Sequence, residues 1–450
     1  MKPLLINNAL IINENTQKTG SLLIKDGVIE EIYYEATSIP KEIASQAKQM
    51  DASNKILIPG VIDEHVHFRQ PGMEHKAEIQ TESRAAIAGG VTSFMEMPNT
   101  IPQATTNERL EEKFTIANEK SLANYSFYLG ATNKNIREIQ KADPKKICGV
   151  KAFLGSSTGN MLLDDKNILE TLFKESSLPI VAHCEDEYTI QRNLNHYKNI
   201  YGKDIPVSLH PAIRSTEACY KSSSFAVDLA EKYGTKFHVL HLSTAKELSL
   251  FNNVIPLKEK KITAEVCIHH LWFQDTDYDK FGTKIKWNPA IKSSKDREGL
   301  LKGLMENKID AIATDHAPHT LQEKTNPYTD APSGGPMIQH SLQAMLDLYN
   351  ENILSLTTIV DKMCHAPADI FKIKNRGYIK KGYYADLVII DLDKPYTVDH
   401  NNILYKCRWS PMEGYRFKSS ITHTFVNGVL VYNKGKILNN KVAKRLEFER

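Results

Sequence analysis

The 450-residue chain lacks any C-x-x-C pair, and its six cysteines (Cys148, Cys184, Cys219, Cys267, Cys364 and Cys407) are scattered. That argues against a disulfide framework, which a chain this long does not need, and makes a reducing cytoplasm the expected compartment. An excess of one charge is also missing. With 57 Lys and Arg against 54 Asp and Glu, the net charge of +3 is too small for a nucleic-acid footprint. The densest basic stretch, Lys258 to Lys261, is broken by Glu259 and reads as a solvated face. No apolar run approaches membrane-spanning length, so neither nucleic acid nor membrane is an expected partner. Met1 to Ile12 is apolar but interrupted by Asn7 and Asn8, and it has no small-residue cleavage site, unlike a signal peptide. Short repeats and low-complexity segments are absent.

What is present is an ordinary globular composition, 41% hydrophobic and 25% charged, which excludes disorder and collagen. The length exceeds what a single core usually fills, so a large domain with an accessory module is expected. Both ends read as β structure. Leu4 to Ile12 and Ser21 to Tyr34 are strand-like, the second holding the turn-forming Asp26-Gly27. Ala385 to Leu392 and Thr422 to Tyr432, with Asn427-Gly428, repeat the pattern. Between the ends, short β-branched runs alternate with amphipathic stretches, as in parallel strands joined by helices. The runs are Ile56 to Ile62, Val91 to Met97, Tyr125 to Gly130, Ile147 to Phe153, Ile180 to His183, Lys236 to Leu242, Ile262 to Ile268 and Ile309 to Ala313. Eight such units predict an α/β fold, a (β/α)8 TIM barrel over residues 56–376, with its chemistry at the C-terminal strand ends. Residues 1–55 and 377–450 are expected to join in a small β-sandwich module.

After the first barrel strand comes Asp63-Glu64-His65-Val66-His67-Phe68-Arg69. Strand alternation sends His65 and His67 to one side, where they can grip one ion, and Arg69 continues that parity toward the substrate space. H-x-H alone is weak, and two chance histidines are the plain alternative. Support comes from other strand ends: Val181-Ala182-His183, Val239-Leu240-His241 and Ala313-Thr314-Asp315-His316. Four histidines and one aspartate thereby gather on one face, a set able to hold two zinc ions bridged by hydroxide. Lys151, within Gly149-Val150-Lys151-Ala152-Phe153, stands where a bridging anion is wanted. It is either a structural lysine or has been converted by carbon dioxide into a carbamate. The apolar strand favours the carbamate, because an unpaired buried charge is costly.

His65 to Gly72, Ala88-Gly89-Gly90-Val91-Thr92, Met97-Pro98-Asn99-Thr100, Val181 to Glu185 and Ala313 to His319 together resemble the amidohydrolase superfamily. Within it the chain is similar to the cyclic amidohydrolases, most closely the dihydroorotase family, over nearly its whole length. The resemblance implies one zinc on His65, His67 and Asp315, a second on His183 and His241, and N6-carboxylated Lys151 between them. Some members bridge the metals with an aspartate in an Asp-Asp-Gly segment. Gly149 to Asn160 here is similar instead to the lysine type, found also in allantoinases and hydantoinases.

The implied reaction is reversible cyclisation of N-carbamoyl-L-aspartate to (S)-dihydroorotate, a step of pyrimidine (UMP) biosynthesis. In it the metal pair supplies the hydroxide and polarises the carbonyl, and Asp315 acts as general base and then acid. A ring carboxylate calls for a fork-shaped cation and amide donors, roles that Arg69, Asn99 and His319 fit. The resemblance adds Asn288, in Trp287-Asn288-Pro289-Ala290, as a ring contact, although the family's Asn-Pro-Pro-Leu-Arg is not kept there. Backbone groups at Gly335 and Pro336 complete the expected substrate site. His269 and His270 are assigned to packing or support, and His238 is expected to point away from the ligands. A homo-oligomer, a dimer, is expected, with aspartate transcarbamoylase as a possible associate. The rival readings are an allantoinase, a hydantoinase, and a non-catalytic scaffold, which would have lost ligands; none is missing.

Overall fold

In the computed structural model, which describes residues 2–35, 38–155 and 161–450, eight parallel strands follow one another in chain order around a barrel. They are β1 (Val61–Val66), β2 (Val91–Glu96), β3 (Asn124–Gly130), β4 (Gly149–Gly155), β5 (Ile180–Glu185), β6 (Phe237–Val239), β7 (Ile262–Cys267) and β8 (Ala311–Ala313). The seam closes where Val66 bridges His316 in parallel and the His67 N–H donates to the His316 carbonyl at 2.8 Å. Ser156 to Asn160, the end of the lysine-type segment, lies outside the described residues.

The strands were legible because both of their faces are buried. Inward-facing Ile62, Met95, Tyr128, Val181 and Leu240 cluster with Phe371 and Phe448. Outward-facing Val61, Phe94, Phe127, Val150 and Ile180 pack with Ala85, Phe114, Leu172 and Ala226 of the helical layer. Strands covered on both sides read as continuous apolar runs. Side-chain caps start the helices between them: Thr106, Asp165, Ser215 and Ser293 accept backbone N–H groups at Asn107–Lys120, Lys166–Glu175, Thr216–Tyr233 and Ser294–Met305. Each such cap contributes about 1 kcal/mol.

The run Ile56 to Ile62, expected as one barrel strand, is instead divided at Gly60. Ile56–Pro59 pairs with Leu10 and Ile11 and with Leu387–Asp391 outside the barrel, and only from Val61 does the chain enter it. Glycine is required at the crossing, since a Cβ there would lie 2.1 Å from Thr92 Oγ1.

The ends of the chain join in a nine-stranded sheet. Leu4–Asn13, Thr16–Lys25, Val28–Tyr33, Lys48–Asp51 and Ile56–Pro59 come from one end. Leu387–Asp391, Ser420–Val426, Val429–Asn433 and Lys436–Ile437 come from the other. Ile11, Leu22, Leu57, Leu387 and Phe425 share its core. Both expected hairpins form, with left-handed φ at Asp26 and Gly27 (50° and 86°) and at Asn427 and Gly428 (49° and 77°). The last residues leave this sheet and run under the barrel. The Leu446 N–H donates to the Tyr125 carbonyl at 2.9 Å, and Arg450 donates to the carbonyls of Ile147, Cys148 and Phe371.

Candidate metal centre and active site

Every residue expected as a ligand is buried, and all but Lys151 lie toward the C-terminal end of a barrel strand or just beyond it: His65 and His67 at β1, His183 in β5, His241 after β6 and Asp315 after β8, with Lys151 inside β4. Three non-glycine residues here adopt the left-handed region, Arg69 (φ 68°), His241 (39°) and Asp315 (43°). Such strain persists only where the surrounding structure imposes it, and it clusters at functional sites. It also corrects the parity argument for His238. Because alternation ends with β6 at Val239, both His238 and His241 face inward, and His238 Nε2 lies 3.3 Å from Glu265 Oε2.

Hydrogen bonds settle which ring nitrogens carry lone pairs. His65 Nδ1–H donates to Glu265 Oε1 at 2.6 Å, and His67 Nδ1–H donates to Asn99 Oδ1 at 2.7 Å. The two Nε2 lone pairs then face Asp315 Oδ1 at 3.3 and 3.2 Å. Three acceptors converge with no donor among them, a repulsive arrangement unless a cation sits between. Nearby, His183 Nδ1 and His241 Nε2 are 3.0 Å apart, while His183 Nε2 lies 3.0 Å from Glu185 Oε2. With the His183 proton directed at Glu185, a second inward lone pair is left facing the cavity. The residues thus fit two divalent ions held by nitrogen and oxygen donors.

Lys151 lines the same cavity, with its Nζ 4.6 Å from the Phe153 ring centroid. Burial lowers its pKa to about 8, against the opposing pull of Asp315 and Glu265. The neutral amine, which is the form that adds carbon dioxide, is therefore accessible near neutral pH. Burial raises the Asp315 carboxyl, but His65 and His67 outweigh it and hold the group below the ordinary carboxylate range. Burial lowers His67 to about 4, so its ring is neutral and able to ligate.

Two carboxylates in this centre were not anticipated. Glu265, in β7, accepts from His65 Nδ1–H and from the His241 backbone N–H at 3.1 Å. Glu185, at the end of β5, pairs with Arg214 beside His183. The available signal was the one that singled out Lys151, an ionisable residue inside an apolar strand run. His269 stacks on Trp287, with centroids 4.4 Å apart, and His270 Nε2 meets the Pro289 carbonyl at 3.1 Å, both packing roles.

The cavity measures about 400 Å³. Arg69, Asn99, Asn288 and His319 line it beside the ligand set. Gly335 and Pro336 do not, a correction to the expected substrate site: the wall is built by Pro332, Ser333 and Gly334. The Gly335 carbonyl is occupied by the Ala317 N–H at 3.0 Å, and a Cβ at this position would lie 2.6 Å from the Trp287 ring. Asn288 Oδ1 is buried without a hydrogen-bond partner among the described residues. Arg69 is buried, donates from Nε to the Pro318 carbonyl at 3.1 Å, and places Nη2 3.0 Å from His319 Nε2. No carboxylate pairs with it within 4.0 Å among the described residues.

Residues 56–431 match the model of the Amidohydrolase family. A dihydroorotase of Methanosphaera stadtmanae is 31% identical over 442 residues, covering 98% of this chain and 97% of that protein. A dihydroorotase of Pyrococcus furiosus is 32% identical over 429 residues, covering 95% and 92%. Among solved structures, the L-hydantoinase (dihydropyrimidinase) of Arthrobacter aurescens superposes with a TM-score of 0.93 at 26% identity, covering 99% of this chain and 100% of that one.

Proposed function

We propose that this chain, which belongs to the amidohydrolase family and acts as a hydrolase of cyclic amides, interconverts (S)-dihydroorotate and N-carbamoyl-L-aspartate. In this reading residues 56–376 form the catalytic unit and the joined ends, 1–55 and 377–450, cover it. The observation that carries the substrate choice is the buried Arg69 guanidinium, which lines the cavity and lacks an anionic partner there. A desolvated cation is costly unless an anion joins it, and a carboxylate matches its fork. Dihydroorotate bears such a group on its ring, whereas hydantoin and dihydrouracil do not.

His65, His67 and Asp315 would hold one zinc, His183 and His241 the other, with carboxylated Lys151 between them. When bound, such a pair lowers the pKa of a shared water and polarises the amide carbonyl. The chain's own groups do the rest. Glu265 and Asn99 keep the Nε2 lone pairs of His65 and His67 turned inward. Asp315 enters the reaction ionised, takes the proton of the attacking water, and returns it to the departing ring nitrogen. Asn288 Oδ1 accepts from a ring N–H, which would satisfy its orphaned oxygen. Arg69 anchors the ring carboxylate.

The similarity to an L-hydantoinase structure supports a second reading, a hydantoin-opening enzyme. Zinc-loaded protein assayed in parallel with dihydroorotate, allantoin and hydantoin separates the two. Turnover of dihydroorotate far above the others is the expected result; preference for either uncharged ring would overturn the substrate assignment.

A further inference from the structure

Lys76 was not among the expected site residues, yet it lines the cavity. Its Nζ lies 3.0 Å from His319 Nδ1 and 2.8 Å from Glu323 Oε1. Glu323 is itself pinned, because Oε2 accepts the Thr320 N–H and hydroxyl at 2.9 Å each. The His319 backbone is anchored as well, its carbonyl accepting Trp409 Nε1–H at 2.8 Å. The imidazole is therefore held between two cations, with Arg69 Nη2 at one ring nitrogen and Lys76 at the other.

Ammonium and guanidinium both offer only protons, so a neutral ring can accept from one of them; the Ser333 carbonyl, 3.1 Å from Nε2, draws the ring proton to that nitrogen and leaves Nδ1 to accept from Lys76. Burial disfavours a second ring proton, and the charges of Arg69, Lys76 and Lys324 push in the same direction. The single proton is then on Nε2, from which it reaches the Ser333 carbonyl at 3.1 Å. This has a consequence for Arg69. A guanidinium N–H cannot donate to a nitrogen that already carries a proton, so the Nη2 group beside His319 keeps its donor unspent. Were the tautomer reversed, Nε2 would accept from Arg69 and the two groups would satisfy each other.

We propose that Lys76 is a positioning residue that locks His319 in the Nε2–H tautomer, its proton held by the Ser333 carbonyl, so that Arg69 keeps an N–H free for the substrate carboxylate. The proposal deepens the dihydroorotate reading and rests on it for the identity of the anion. The lock is a property of the free protein, independent of any turnover.

The tautomer of His319 is read directly from nitrogen-15 NMR of histidine-labelled protein, with a His319→Gln sample to assign the signal. Wild type should show Nε2 protonated and Nδ1 bare. Lys76→Met should move the proton toward Nδ1, and Lys76→Arg, which offers only donors, should restore the wild-type pattern. In turnover, Lys76→Met should raise KM for dihydroorotate about tenfold or more while kcat stays within about threefold, as loss of ground-state carboxylate binding requires. Lys76→Arg should recover most of that loss. Should Lys76→Met fail to fold, Lys76→Gln, whose amide both donates and accepts, gives a mixed tautomer on the same reasoning. A wild-type Nδ1–H tautomer, or an unchanged tautomer in either neutral variant, overturns the lock. A defect confined to kcat overturns its role in binding. Failure of wild type to act on dihydroorotate would sink the substrate reading instead, and the NMR result would still decide the tautomer.

Discussion

Glu265→Gln is the most informative single change to the metal centre. Glu265 lies under His65, accepting Nδ1–H at 2.6 Å and the His241 N–H at 3.1 Å through the same oxygen, while its other oxygen faces His238 Nε2 at 3.3 Å. Glutamine is isosteric. Its carbonyl oxygen can accept the first two bonds and its amide can donate to His238, so the hydrogen-bond count is kept and only the charge is lost. A charge-assisted bond contributes roughly 1.5 to 3 kcal/mol and a neutral one about half of that, and His65 becomes a poorer donor to a cation when its partner is neutral. Zinc affinity should fall roughly tenfold to a hundredfold, since each factor of ten is about 1.4 kcal/mol. Titrating metal-stripped protein with zinc against a competing chelator measures this, with urea unfolding of the same samples to show that the fold is kept. Unchanged affinity in a folded variant would refute the claim that Glu265 sets the basicity and orientation of His65.

Three further outcomes follow from the same geometry. Lys151→Ala should lose the bridged pair of ions and regain part of its activity with added short carboxylic acids; full activity without them would reject the carbamate. Burial raises the Glu185 carboxyl, but Arg214 and His183 outweigh it and depress it to about 2, from an ordinary 4.5. Because the folded value is the lower one, its stabilisation is complete above about pH 4.5 and is lost as pH falls toward 2. The difference in urea midpoint between metal-stripped wild type and Glu185→Gln should therefore shrink on acidification; a constant difference would contradict the assignment. Phe127→Ala, which empties a fully buried site against Phe94, Phe114 and Tyr125, should cost about 3 to 5 kcal/mol by denaturant unfolding, and a cost below about 1 would show that the site collapses.

Much of the site was open to reading because barrel geometry converts strand ends into neighbours. His65, His67, His183, His241 and Asp315 are distant in sequence, yet each closes an apolar run, and a parallel barrel gathers such ends on one face. Lys151 stood out for the same reason that Glu265 should have, a charge inside a buried strand. Glu265 escaped because a carboxylate in that place has no motif of its own; its meaning lies in a 2.6 Å contact with a residue 200 positions away. Gly335 and Pro336 were assigned a wall that Pro332 to Gly334 build, since loop path is set by packing against Trp287 rather than by local pattern.

Local chemistry therefore determined the alternation of strands and helices, the two glycine hairpins, and which histidines and carboxylates meet at the mouth of the barrel. Tertiary structure alone decided where Ile56 to Ile62 changes sheets, which way His238 and His241 turn, which ring nitrogens keep their lone pairs, and that Lys76 meets His319. The reason is physical. Apolar periodicity and turn preference act over a few residues, whereas proton position and backbone strain are set by partners that only the closed barrel brings within hydrogen-bonding distance.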